Sequence, residues 1–182
     1  MLKKKILIVD NHSKRMKELT RLVAGHDVSV CDCDNFTSKK AENFDLIILS
    51  GGSHVYSADN TKKAYTAEID FIRETMKPVI GICLGCQLIA KAFGGTLEKM
   101  KEKSRGILEI NFAGKSYSVF ESHKYTIKSL PSCINVIAES ETGSEIIQHE
   151  SKPIYGFQFH PEAYPRKTAG KKLFRFILKE VL

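Results

Sequence analysis

Residues 78–95, PVIGICLGCQLIAKAFGG, pass from an apolar run to a helical pattern with almost no connecting loop. The run after Pro78 predicts a buried strand. Leu84 and Leu88, four residues apart, begin a helix that Gly94 and Gly95 end. Cys83 falls at the join, with Gly81 two residues before it and Gly85 two residues after. Small residues there allow a sharp turn and a close approach of other groups to the thiol. A side chain in that place is held at the tip of a strained strand-to-helix turn, the arrangement of a nucleophile elbow. The helix N-terminus behind the sulfur favours its thiolate. Such an element needs a sheet to carry its strand and partners for its cysteine.

The sheet is legible on the N-terminal side. Lys3–Val9 reads as a buried strand. Ser13 is a candidate cap for a helix to about Val23, with Met16, Leu19, Leu22 and Val23 inward. Asp27–Cys31 predicts a second strand, Ala41–Phe44 a short helical turn, and Asp45–Leu49 a third strand that runs into Ser50-Gly51-Gly52-Ser53. Asn60–Met76 predicts a helix closed by Pro78. Strands without polar alternation, separated by helices, imply a parallel sheet covered on both faces, and loops at its strand carboxyl ends gather function. The Ser50-Gly51-Gly52 and Cys83 turns both fall there. Neither continues as a P-loop or dinucleotide fingerprint. Beyond Gly95 the segments Ile107–Ile110, Ser116–Phe120, Ile134–Ala138, Ser144–Gln148 and Ile154–Phe157 predict shorter strands, partly extending the sheet and partly forming a smaller antiparallel ribbon. The expectation is a three-layer α/β fold with a flavodoxin-like core, and residues 1–182 as a single domain.

Charge and cysteine content narrow the function classes. The formal charge of +7 suits nucleic acid, but the cations after position 165 (Arg166, Lys167, Lys171, Lys172, Arg175, Lys179) match the polar face of an amphipathic terminal helix. They read first as a solvated face and second as a docking surface for an acidic partner; no nucleic-acid partner is expected. No apolar run reaches membrane-spanning length. The apolar run after the N-terminal lysines ends at Asp10, so it reads as a strand and the location as cytoplasmic by default. Five cysteines without secretory context argue against a disulfide framework. Cys31, Cys33, Cys83 and Cys86 could make a four-thiolate zinc set by count, but a C-x-C on a strand sends its sulfurs to opposite faces, and no metal is expected.

A nucleophilic cysteine needs a base, and the base a carboxylate to orient it. Of six histidines, His12, His26 and His149 read as unremarkable turn or surface groups. His54 follows the glycine loop, and His123 lies within Phe120–Tyr125. His160 ends a strand in Phe159-His160-Pro161-Glu162, where the proline returns Glu162 to the same side; the motif could also be an ordinary turn. For Cys83-Leu84-Gly85-Cys86 a thioredoxin-like dithiol is the alternative, which leaves the glycine loop and His160-Glu162 unused. Cys86 reads as a small residue packed in the first helical turn.

These motifs together resemble the class I, triad-type glutamine amidotransferases over essentially the whole chain. Gly81-Ile82-Cys83-Leu84-Gly85-Cys86-Gln87 is similar to their G-x-C-x-G-x-Q, Phe159-His160-Pro161-Glu162 to their F-H-P-E, and Gly51-Gly52-Ser53 to their oxyanion loop, G-G-P. The resemblance implies hydrolysis of L-glutamine through a Cys83 glutamyl thioester, with His160 moving the proton, Glu162 orienting it, and Gly52 and Leu84 N–H groups holding the oxyanion. It also implies Gly51, Gln87, Ser122 and His123 as substrate-pocket residues. The wording around Leu49–Tyr56, Ser122-His123 and Lys152–Glu162 is similar to GMP synthases, most of all the separate amidotransferase subunit of the archaeal type. That implies a hetero-complex with an ATP-dependent synthetase (ATP pyrophosphatase) subunit that binds ATP and Mg, no cofactor in this chain, and XMP as ammonia acceptor. The alternatives are a stand-alone hydrolase of a γ-glutamyl amide or peptide, the glutaminase subunit of another synthetase, and a noncatalytic relative, which the intact triad disfavours. Ser53 for the loop proline, Cys86 for His or Met, no aspartate after Ser122-His123, and Ala163-Tyr164-Pro165-Arg166 for V-x-H-T depart from the pattern.

Overall fold

The structure is a computed structural model that describes residues 2–52 and 65–182. Ser53, His54, Val55, Tyr56 and the start of the helix expected from Asn60 lie outside the described residues. Five parallel strands form the heart of the sheet: β1 (Lys5–Asp10), β2 (Asp27–Asp32), β3 (Leu46–Leu49), β4 (Val79–Ile82) and β9 (Ile154–Phe157). Four antiparallel strands, β5 (Thr96–Phe112), β6 (Lys115–Ser129), β7 (Ile134–Ser140) and β8 (Gly143–His149), extend it in the order β2-β1-β3-β4-β9-β8-β7-β5-β6.

Burial explains why the central strands carry no polar alternation. Ile6 and Ile8 pack on one face of the sheet with α1 (Met16–Leu22) and α5 (Gly170–Val181), through Leu19, Leu22, Phe174 and Ile177. Leu7 and Val9 pack on the other face with α2 (Ser38–Ala41), α3 (Thr66–Glu74) and α4 (Leu84–Ala92), through Ala41, Ile72 and Leu88. Each side chain so buried contributes about 1.5–3 kcal/mol, which is why these positions are Ile, Leu and Val on both faces.

Several boundaries differ from the sequence reading for local reasons. Ser13 does not cap α1. Its N–H donates to Asp10 Oδ1 at 2.8 Å and its hydroxyl accepts from Arg15 N at 3.1 Å, so a turn precedes a helix that begins at Met16. The second short helix is Ser38–Ala41, earlier than expected, because the Thr37 hydroxyl accepts from Lys40 N and fixes the start. The antiparallel part is larger than the expected pieces: β5 and β6 have 17 and 15 residues. Their exposed faces are rich in Lys, Glu and Ser, which hid the strands from a search for apolar alternation. His149, expected at the surface, is buried. Its ring meets Phe93 edge-on at 4.6 Å and Nδ1 accepts from Ser151 and Lys152 N–H groups. In α5 the cations face outward from Leu173, Phe174 and Ile177, as the amphipathic reading requires. Among the described residues, no helix is long and apolar enough to cross a membrane.

Candidate active site

The site is built where β1, β3, β4 and β9 end. Leu49 leads into Ser50-Gly51-Gly52, and this loop is strapped to β1. Asn11 N donates to Ser50 Oγ at 2.9 Å, Asn11 Nδ2 donates to Ser50 O at 3.1 Å, and the Ser50 hydroxyl donates to Gly51 O at 2.9 Å. Asn11 and Ser50 are fully buried, so a short polar clamp holds the loop without help from solvent.

Cys83 follows β4 with φ 50° and ψ −99°, a backbone region that L residues enter only under strain. Two bonds hold it there: Cys83 N donates to Phe157 O at 2.7 Å, and Gln87 N donates to Cys83 O at 3.1 Å as α4 begins. The framing glycines are needed for close approach. A Cβ on Gly85 would lie 2.3 Å from Leu49 O, and one on Gly81 would lie 2.4 Å from the Gly85 carbonyl carbon. The helix therefore starts directly against β3 and β4, and its first turn lifts the cysteine to the end of the sheet.

His160 comes from the end of β9. Its N–H donates to Phe120 O at 2.8 Å, tying it to β6, and its Nδ1–H donates to Glu162 Oε1 at 2.7 Å. Its ring lies beside Cys83, and the thiol acts on it electrostatically. Burial disfavours the imidazolium, but Cys83 and Glu162 outweigh it and hold the His160 pKa up to about 10. A Cβ placed on Gly51 would come 3.1 Å from His160 Cε1 and 3.4 Å from Cys83 Cβ; one on Gly52 would collide with Asn11 O and Leu84 Cδ2. Gly51, Gly52, Cys83, Leu84, His160 and Glu162 thus lie together at the end of the sheet. The arrangement can hold a thiolate–imidazolium pair beside a backbone loop and pass a proton across a bond made at sulfur.

The expected pocket residues divide. Gln87 is buried, and its Nε2 donates to Tyr125 O at 2.9 Å and Gln158 Oε1 at 3.1 Å, so its amide bridges α4, β6 and the strand end before His160. His123 is buried with Nδ1 2.9 Å from Tyr125 O and Nε2 3.3 Å from Glu121 Oε2; both ring nitrogens face protein groups. Ser122 is half-buried opposite Arg105 on β5.

Sequence reasoning missed what lies behind Gln87 and His123: two fully buried carboxyls, Glu121 and Glu145. Thr142 Oγ1 lies 3.0 Å from an oxygen of each, Ser104 donates to Glu121 and Ser140 to Glu145. Burial and the neighbouring Glu121 carboxylate raise the Glu145 pKa. Burial opposes ionisation of Glu121 too, but bonds from His123, Glu145 and Ser104 outweigh it and lower its pKa. The signal available was that Glu121 shares the inward face of β6 with Val119 and His123. Beside His160 stand Phe120 and Tyr164, rings at 4.8 Å, with the Arg15 guanidinium over both. Tyr164 belongs to the segment that departs from V-x-H-T.

Cys86 is fully buried, and a Cβ on Gly156 would lie 2.6 Å from its sulfur. Burial, with Cys83 and Glu145, raises its thiol pKa well above the ordinary value, so it packs as a small apolar residue and offers no second thiolate.

A strained cysteine between β4 and α4, faced by a histidine–glutamate pair from β9, defines a class. The chain belongs to an enzyme family, the class I glutamine amidotransferases: the family profile "Glutamine amidotransferase class-I" matches residues 7–180. Within that family it is closely related to the glutamine-hydrolysing subunits of archaeal GMP synthases. It is 31% identical to the one from Methanothermobacter thermautotrophicus, over 93% of this chain and 94% of that one. Identity to the Pyrococcus abyssi protein of the same name is 36%, over 86% and 88%. The crystal structure of a provisionally assigned GMP synthase subunit from Thermoplasma acidophilum superposes with a TM-score of 0.86, at 27% identity, over 98% of this chain and 94% of that one.

Proposed function

We propose that this chain, as one domain spanning residues 1–182, hydrolyses L-glutamine and hands the ammonia to a separate ATP-dependent synthetase subunit for amination of XMP to GMP. The observation that carries the chemistry is the Cys83 backbone at φ 50°, holding its thiol beside a His160 already bonded to Glu162. The Cys83 thiolate attacks the side-chain amide carbon. The tetrahedral oxyanion rests on the backbone N–H groups of Gly52 and Leu84, fixed beforehand by the Asn11–Ser50 clamp and the start of α4. His160 gives its proton to the departing ammonia, leaving a glutamyl thioester. It then takes a proton from water, which attacks the thioester and frees glutamate and the thiolate. Glu162 keeps the imidazole in the tautomer and orientation both transfers need. Gln87 and His123 shape the pocket wall by fixing the Tyr125 segment.

The acceptor rests on likeness to proteins named as subunits of a glutamine-hydrolysing GMP synthase. ATP and Mg are assigned to the partner. The test is to mix the chain with the synthetase subunit of its own organism and follow XMP amination with glutamine or ammonium as donor. Cys83→Ala should abolish the glutamine-driven reaction and spare the ammonium-driven one. Undiminished glutamine-driven amination would overturn the mechanism. Release of ammonia from γ-glutamyl amides with no retained partner would favour the stand-alone hydrolase.

A further inference from the structure

A second group of reactive side chains lies apart from Cys83, at the β2 edge of the sheet. β1 and β2 run in parallel with Asp10 paired to Asp32, so the residues just beyond their carboxyl ends fall side by side. His12 follows β1, and the 3-10 turn Cys33–Asn35 follows β2. His12, Asp32, Cys33 and Asp34 each offer one nitrogen, sulfur or oxygen donor, and the four atoms lie within 4.8 Å of one another. His12 Nε2 is 3.6 Å from Cys33 Sγ; the opposite ring nitrogen, Nδ1, is 3.8 Å from Asp32 Oδ2, so only the first distance is a donor–donor edge at an ion bound through Nε2. Zinc bonds of ~2.0–2.3 Å set tetrahedral donors roughly 3.3–3.8 Å apart. The His12–Cys33 edge already has that spacing. The carboxylates need to close by roughly one ångström, within reach of an exposed Asp34 and a half-exposed Asp32.

The charge around the thiol suits a cation. On a chain of net charge +7, the Cys33 thiol is surrounded by acids: Glu68, Asp32 and Asp34. Glu68 acts on the thiol most strongly of the three and is 1% exposed.

We propose that His12, Asp32, Cys33 and Asp34 form a divalent-metal site of the zinc type. One thiolate and one imidazole with two carboxylates select zinc over magnesium or calcium, which take all-oxygen shells. The ion is structural. It pins the loop after β1, whose Asn11 clamps Ser50, and so steadies the Gly51-Gly52 loop from outside the Cys83 site.

The test uses the full chain carrying Cys83→Ala, which removes the catalytic thiol as a competing ligand. Titration with Co²⁺ should saturate at one equivalent and give a sulfur-to-metal charge-transfer band, and Zn²⁺ should displace it. His12→Ala and Cys33→Ser should each weaken binding by at least about 100-fold, more than the ~10–100-fold typical of groups outside the ligand shell. Cys31→Ser and Cys86→Ser should leave it unchanged. Because Cys33 is buried, circular dichroism checks each fold; exposed His12→Ala and Asp34→Asn carry the test if Cys33→Ser does not fold. Absence of the band, its persistence in His12→Ala or folded Cys33→Ser, or its loss in Cys31→Ser overturns the site.

Discussion

Replacing Cys83 with glycine should make the protein more stable than replacing it with alanine, although both remove the nucleophile. The φ of 50° is imposed on Cys83 by the Phe157 carbonyl and by the start of α4. A residue with a Cβ pays roughly 1–3 kcal/mol to stay in such a region. Glycine enters it without that cost but gives back about 0.5–1 kcal/mol through the greater freedom of its unfolded chain. Alanine keeps the strain, and neither variant keeps the sulfur, so their difference isolates the backbone. At the middle of those ranges the glycine variant should exceed the alanine variant by about 1 kcal/mol, and at most by about 2.5 kcal/mol, or roughly 2–10 °C in Tm at about 2–4 °C per kcal/mol for a chain of this size. Urea unfolding of both variants in one buffer, with equal m-values, measures it. A glycine variant no more stable than the alanine one would show that the elbow stores no strain.

Other consequences follow from the same geometry. Gly85→Ala places a Cβ 2.3 Å from Leu49 O, so it should cost about 2–3 kcal/mol or more in urea unfolding and lower kcat by displacing Cys83; an unchanged urea midpoint would refute the close approach. Cys86→Ala should lose only about 1 kcal/mol for the vacated sulfur volume and keep glutamine-dependent ammonia release, whereas loss of activity would put a second thiol in the chemistry. For pH, the folded His160 pKa near 10 lies above the ordinary 6.5. The folded state holds that proton more tightly, so the stabilisation is full below about pH 6.5 and is lost as pH rises through 10. Glu162→Gln removes one of the groups raising it, so the stability–pH curve should fall less over that window than in the wild type; parallel curves would contradict the pairing.

Much of this was legible in residues whose type is dictated by contact. Ile6–Val9 and Leu46–Leu49 had to be apolar on both faces, so the parallel strands could be read directly. Gly81 and Gly85 are glycine because two backbones touch there, and the elbow was readable for that reason. The β5–β6 ribbon was legible only in the short apolar pieces Ile107–Ile110 and Ser116–Phe120, because most of its length is solvent-facing and tolerates any polar residue. Glu121 and Glu145 are adjacent only after β6 and β8 fold onto one another, and a lone Glu in a strand gives no hint of a distant partner. The meeting of His12 with Cys33 depends on the parallel register of β1 and β2, which spacing along the chain does not encode.

The two cysteine–histidine pairs in this molecule can be told apart by one measurement. The chain, mixed with the proposed synthetase subunit while turning over glutamine, is quenched in acid, digested and analysed by mass spectrometry for a glutamyl acyl group on sulfur. The account predicts the adduct on the peptide bearing Cys83, absent in Cys83→Ala. An adduct on Cys33 or Cys86, or ammonia release at the wild-type rate with no acylation of Cys83, would contradict it.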